Sequence, residues 1–173
     1  QLLSHTGGVF KDGDTPHWTD DLFPDISGLK KSISNKTIVF KNLTRFKYSN
    51  FGFALLGEVI KKVSGMNYDE YVSTHIIKKL GMKRTAPDFT KEIESWLAKG
   101  YSRTISGMER EVFRHSETKA YAASTGFLSN ISDLALYVAA LSLKRKEAHI
   151  LVSKESKKEI MREHWATGEE EKS

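Results

Sequence analysis

Cysteine is absent from the 173 residues, which excludes disulfides, thiolate metal sites and a cysteine nucleophile. No apolar run reaches membrane-spanning length, and no signal-peptide pattern is visible. Internal repeats and low-complexity blocks are lacking. Charge of one sign is not in large excess either: 27 Lys plus Arg stand against 22 Asp plus Glu. The basic residues fall in short clusters such as Lys30-Lys31, Lys61-Lys62 and Lys78-Lys79, mostly at expected helix ends, where cations complement the helix dipole. A continuous basic stripe or interleaved aromatics, which a nucleic-acid surface needs, is missing, so no nucleic-acid partner is expected. None of the six histidines pairs with another histidine or a carboxylate as H-E-x-x-H or H-x-H, and no metal site is expected.

What is present is helical periodicity. In "FKYSNFGFALLGEVIKKVSG" the apolar residues Phe51, Leu55, Leu56, Val59, Ile60 and Val63 recur at steps of three and four, which predicts a helix from about Ser49 to Ser64, closed by Gly65. A second helix is predicted from Asn67 to Leu80. Asn67 and Glu70 form a capping-box-like pair, and Tyr68, Tyr71, Val72, Ile76 and Leu80 supply the buried stripe. A third helix starts at Ser129 or Asn130, with Ile131, Leu134, Ala135, Val138 and Leu141 facing inward. A fourth runs from Ser153 to about Trp165, with Ile160 and Met161 inward. The segment from Phe10 to Lys47 reads as a long, partly ordered excursion with turns at Asp12-Gly13-Asp14 and Phe23-Pro24-Asp25 and one short helix around Ile26 to Ile33. "GYSRTIS" and "REVFRH" predict a small hairpin about a turn at Ser106-Gly107. The fold class is therefore mainly α, with little strand.

Tyr48, Ser49 and Asn50 stand together just ahead of the first apolar face. Polar residues there either cap orphan amides or look into a cleft. Asparagine is among the best capping residues, and Ser49 reads as structural, because it sits in neither an S-x-x-K nor a G-x-S-x-G setting.

The order of "LLSHTGG" (Leu2 to Gly8), "YSN" (Tyr48 to Asn50), "LLGEVIKKVSGMNYDEYV" (Leu55 to Val72), "KKLGMKRT" (Lys78 to Thr85) and "GFLSNISDLALYVAAL" (Gly126 to Leu141) resembles the serine beta-lactamase and penicillin-binding-protein superfamily. It is most similar to the branch of class C beta-lactamases, D-alanyl-D-alanine carboxypeptidases and esterases. The resemblance implies a parent α+β fold, of which residues 1–173 form a single partial domain, mostly the helical subdomain. It also implies acyl transfer by a serine from an S-x-x-K motif, with a tyrosine and an asparagine from Y-x-N and a K-T-G or H-x-G strand lining the site. Tyr48 matches that tyrosine, as proton-transfer residue, and Asn50 matches that asparagine, as substrate contact. A serine hydroxyl must lose its proton as it attacks, so it needs such a neighbour. A phenol serves only where nearby positive charge favours its ionised form, for which lysine is the natural source. His5, in the family's L-x-H-T turn, is expected to hydrogen-bond backbone.

The implied enzyme needs no metal and no organic cofactor. Its partner is a small-molecule, peptide or ester substrate, a beta-lactam or D-Ala-D-Ala peptide among them, and the family expectation for location is periplasm, cell surface or secretion. The chain also departs from the pattern. Ser27-Gly28-Leu29-Lys30 and Ser116-Glu117-Thr118-Lys119 have S-x-x-K spacing but follow "LLSHTGG" instead of preceding it, and no K-T-G or H-x-G follows the last helix. Two explanations stay open. One is an excerpt of a longer enzyme, inactive without the remainder of the parent domain; the other is a degenerate, non-catalytic relative serving as a binding or interaction module.

Overall fold

The structure is a computed structural model describing residues 1–35, 38–144 and 151–166. Its elements in chain order are α1 (His17–Asp20), α2 (Ile26–Asn35), α3 (Asn50–Ser64), α4 (Tyr68–Val72), α5 (Lys78–Leu80), α6 (Ile131–Leu141) and α7 (Lys154–Ile160). A π turn, Ser73–Ile77, joins α4 to α5, and a further π turn, Ala122–Gly126, follows a 3-10 turn at Lys119–Tyr121. Among the described residues the only sheet is the antiparallel pair β1 (Gly100–Tyr101) and β2 (Val112–Phe113), which closes through the expected turn at Ser106-Gly107. The mainly helical reading with a small hairpin holds.

Helix α3 begins and ends where its sequence supplies the chemistry. Ser49 lies in extended conformation and its hydroxyl accepts the Gly52 amide, so Ser49, and not Asn50, is the cap. Gly65 takes the left-handed conformation (φ 75°) and donates its amide to the Lys61 carbonyl. The buried face differs from the predicted stripe. It consists of Asn50, Phe51, Gly52, Ala54 and Gly57, whereas Val59 and Val63 are exposed. Small residues win because α3 packs tightly against the Ala122–Gly126 turn, where a Cβ on Gly57 would stand 3.0 Å from that of Ala123.

The main core joins Phe51 and Ala54 to Phe23, Leu29, Ala120 and Tyr121, with Phe10 and Ile26 packed against it. Phe23 and Leu29 come from the supposed excursion, which is therefore structural. Each fully buried side chain of this size contributes about 2 kcal/mol. His17, in the short α1 that periodicity did not reveal, is fully buried beside the rings of Tyr121 (4.5 Å between centroids) and Phe23 (4.9 Å).

A smaller core cluster contains Val72, Ile77 and Met82. Tyr68, Ile76 and Leu80 of the predicted stripe pack against it, and the π turn, by inserting a residue, buries Ile77 as well, five positions after Val72. The capping box expected here is not made: Asn67 is the cap residue but forms no side-chain cap bond.

Helix α6 starts as expected, with the Asn130 side chain accepting the Asp133 amide. Its predicted inner face does not face inward. Ile131 is 82% and Val138 66% exposed, and Leu134 is exposed as well, while Asp133 and Ala140 are buried. Asp133 turns inward because its carboxylate accepts the Arg84 amide and the Thr85 hydroxyl. Helix α7 stops at Ile160, short of Trp165, and Ile160 and Met161 are exposed while Lys157 is buried.

One buried carboxylate organises the middle of the chain. Asp88 accepts the amides of Phe89, Thr118 and Lys119 and the Thr118 hydroxyl, at 2.8 to 3.0 Å. It thereby fixes the segment that carries Tyr121 into the core, next to the antiparallel bridge between Ala86 and Leu128. An Asp88→Asn change replaces acceptor oxygen by a donor facing donors, so it is expected to cost on the order of 3 kcal/mol, read as a lower urea midpoint with an unchanged slope.

His17 gives a second expectation. Its Nδ1 meets the Thr15 hydroxyl at 2.7 Å, but its buried Nε2 has no hydrogen-bond partner among the described residues, and burial lowers its pKa from 6.5 against the opposing pull of Asp12. The unfolded chain therefore takes up the proton first. Stability from neutral His17 is complete above pH 6.5 and falls as pH drops through 6.5 towards the folded-state value. In His17→Phe this acid limb is expected to be shallower, measured as Tm against pH.

Candidate active site

The N-terminus of α3 is stitched to residues 10–13 by successive hydrogen bonds. The Ser49 hydroxyl donates to the Phe10 carbonyl at 2.7 Å, the Phe51 amide to the Lys11 carbonyl at 3.1 Å, and the Asn50 side-chain amide to Asp12 Oδ1 at 2.9 Å. The next residue, Gly13, donates its amide to the buried Tyr121 hydroxyl at 2.9 Å. Burial pushes the Tyr121 phenol up to about 12, so it remains a neutral structural group.

Asn50 is 8% exposed and is the first residue of α3, so its side chain does not cap the helix. A carboxylate only accepts, and Asp12 Oδ1 also receives Trp18 Nε1–H at 2.8 Å. The amide nitrogen of Asn50 must therefore face Asp12, and its Oδ1 points the other way without a hydrogen bond among the described residues. Asp12 was legible only as a turn residue. Its true partner lies 38 positions away, and no local pattern announces that pairing.

Tyr48 sits one residue before the cap, outside the helix. It is 49% exposed, and its hydroxyl has no hydrogen bond among the described residues. Its ring leans on the His5 imidazole, 4.7 Å between centroids. The neighbouring Lys47 turns its ammonium over the Phe40 ring, 5.8 Å from the centroid. Three surface cavities, of about 360, 290 and 410 Å³, lie elsewhere, near Trp96, Glu58 and Glu117 respectively.

His5 bonds backbone as expected, accepting the Ser49 amide at Nδ1 (3.1 Å). An accepting Nδ1 requires the neutral ring with its proton on Nε2. Burial agrees with this, because it lowers the His5 pKa. Close by, Gly8 has φ 67°, and a Cβ there would fall 1.8 Å from the Phe40 carbonyl oxygen, so this member of the "TGG" turn has to be glycine.

The two S-x-x-K spacings do not form a nucleophile and its base. Ser27 donates to Asp25 at 2.8 Å, and Lys30, on the surface of α2, lies 3.8 Å from Glu58. Ser116 lies outside any helix, ahead of the 3-10 turn that Lys119 begins, so no helical turn brings the two side chains onto one face.

The family model described as Beta-lactamase matches residues 1–170. A putative penicillin-binding protein, PbpX, of Bacillus subtilis (strain 168) is 33% identical over 113 residues, which cover 61% of this chain and 26% of that protein. Protein flp of Staphylococcus aureus (strain MW2) is 29% identical over 85 residues, 49% of this chain and 17% of that one. The structure of the octameric penicillin-binding protein homologue from Pyrococcus abyssi superposes with a TM-score of 0.66 at 31% identity, covering 91% of this chain and 36% of its own. The chain thus spans about a quarter or less of these curated relatives and about a third of that structure. Because the family model runs across nearly every residue, from the "LLSHTGG" turn through α6, the chain belongs to the beta-lactamase family, within the serine beta-lactamase and penicillin-binding-protein superfamily.

Proposed function

We propose that residues 1–173 are the proton-handling part of a serine hydrolase that works through an acyl-enzyme on a beta-lactam, a D-Ala-D-Ala peptide or an ester. The nucleophilic serine and its lysine come from polypeptide outside Gln1–Ser173, and this segment by itself is inactive. Tyr48 takes the serine's proton as the hydroxyl attacks and returns it to the leaving group. Asn50 offers its free side-chain oxygen and remaining N–H at the edge of the same site, with Asp12 fixing which end points where.

One observation carries this reading. The Tyr48 hydroxyl, on a half-exposed residue, makes no hydrogen bond among the described residues, while the backbone amides of its two neighbours, Lys47 and Ser49, are both bonded to His5. A tyrosine kept for packing would bury its ring and satisfy its hydroxyl, as Tyr121 does. A second reading, a non-catalytic binding module on the same helices, is favoured by Asn50, whose burial and bond to Asp12 suit a scaffold residue.

The test is covalent labelling. Fluorescent penicillin or an activated ester is expected to leave the 173-residue chain unmodified and to acylate a serine of the longer protein that contains it. Tyr48→Phe should slow that acylation by about 100-fold or more. Unchanged kinetics would remove Tyr48 from the mechanism, and no adduct on the longer protein would favour the binding module.

A further inference from the structure

His5 touches the chain on both sides of Tyr48. Its carbonyl accepts the Lys47 amide at 2.8 Å, and its Nδ1 accepts the Ser49 amide at 3.1 Å. Between these bonds its ring packs on the Tyr48 ring, and it is enclosed further by Phe53 from α3 (4.9 Å) and by the edge of Phe46 (5.6 Å). To reach all of these, His5 adopts φ 55°, a left-handed conformation that is uncommon for a residue other than glycine. A left-handed residue that bonds the amides on both sides of Tyr48 and packs on its ring points to the grip itself as what the local structure keeps.

We infer that His5 is the positioning residue for Tyr48, gripping it through both flanking amides while its ring is neutral, so that protonation of the ring releases the Ser49 amide and loosens the tyrosine. The inference takes from the preceding section only that Tyr48 is the residue whose placement matters. Its physical content is a linkage between two side chains.

The mechanism is a matter of one lone pair. Neutral His5 presents the Nδ1 lone pair to the Ser49 amide. Protonated His5 presents an N–H there, so donor faces donor and the bond is lost. The ring contacts with Tyr48, Phe46 and Phe53 survive protonation, since an imidazolium is attracted to aromatic faces, and the change is therefore confined to the Ser49 side of the grip. Among the groups packed on the ring, Tyr48 is the only titratable one. The cations nearest in sequence, Arg45 and Lys47, are both directed over the Phe40 ring. Burial alone lowers the pKa of His5, so the switch operates below the ordinary value of 6.5. Ser49 is also the cap of α3, so the same proton weakens the bond network at the helix start.

The experiment follows the isotope-labelled 173-residue chain by NMR from about pH 8 to about pH 4, reading the His5 ring nitrogens, the Ser49 amide and the Tyr48 ring, with His17→Phe identifying the resonances of the other buried histidine. The expected result is an Nε2–H tautomer at neutral pH and a single midpoint, below 6.5, shared by His5, the Ser49 amide and the Tyr48 ring. In His5→Asn, a residue that tolerates left-handed φ and still accepts through Oδ1, the Tyr48 signals should match the neutral wild type and stay flat with pH. In His5→Phe, which keeps the ring but has no acceptor, they should match the acid form throughout.

A proton on Nδ1 at neutral pH, or a Tyr48 ring that stays still while His5 titrates, overturns the inference. Should His5→Phe fail to fold, the wild-type titration and His5→Asn decide the matter. Failure of the penicillin label would remove the catalytic reading and leave this linkage standing; a motionless Tyr48 would do the reverse.

Discussion

The Ser49 hydroxyl is where the two halves of the main core are joined. It accepts the Gly52 amide within α3 and donates to the Phe10 carbonyl across the chain, so one side chain both starts the helix and anchors the segment beside it. A cap alone is worth about 1 kcal/mol. Here it is the first member of a series that continues through Lys11, Asp12 and Gly13 and ends on Tyr121. Once residues 10–13 lie along the head of α3, Phe23 and Leu29 have only a short distance to travel to cover Phe51. Burial supplies the free energy, and the polar series decides where the burial occurs.

The legible parts of the fold were those written in neighbouring residues. Serine and glycine bracket α3, Asn130 opens α6, and the turn at Ser106-Gly107 closes the hairpin. Each depends on contacts across a few positions. What escaped was set by distance or by a change of period. The bonds from residues 12 and 13 reach 38 and 108 positions along the chain. The π turn breaks the 3.6-residue rhythm, so a stripe drawn through Ile76 lands beside the buried residue. Helix α6 is apolar on most sides, and a helix of that kind does not declare its inner face by periodicity; the carboxylate of Asp133 settles it instead.

For the candidate site the balance is different. Spacing alone left Tyr48-Ser49-Asn50 divided between capping and binding, and the geometry gives the capping to Ser49 alone. Asn50 is oriented by Asp12, and Tyr48 lies outside the helix with its hydroxyl unbonded among the described residues. The family likeness singled out the tyrosine, and its L-x-H-T turn pointed to backbone bonds from His5, but not to their lying on either side of Tyr48. Those bonds depend on a left-handed residue, and nothing in the one-letter string distinguishes such a histidine from an ordinary one.

The π turn at Ser73–Ile77 has a consequence for how this segment tolerates changes of length. Deleting one residue there would restore an uninterrupted α-helix, so the helix itself would survive. Everything beyond it, however, would rotate by about 100° and shift by about 1.5 Å. Gly81 and the stretch from Met82 to Ala86 would then miss the carboxylate of Asp133 and the backbone of Leu128, which they now meet in register. The surplus residue works as a spacer that sets the phase between two packing surfaces, and its number, more than its side chain, is what the fold requires.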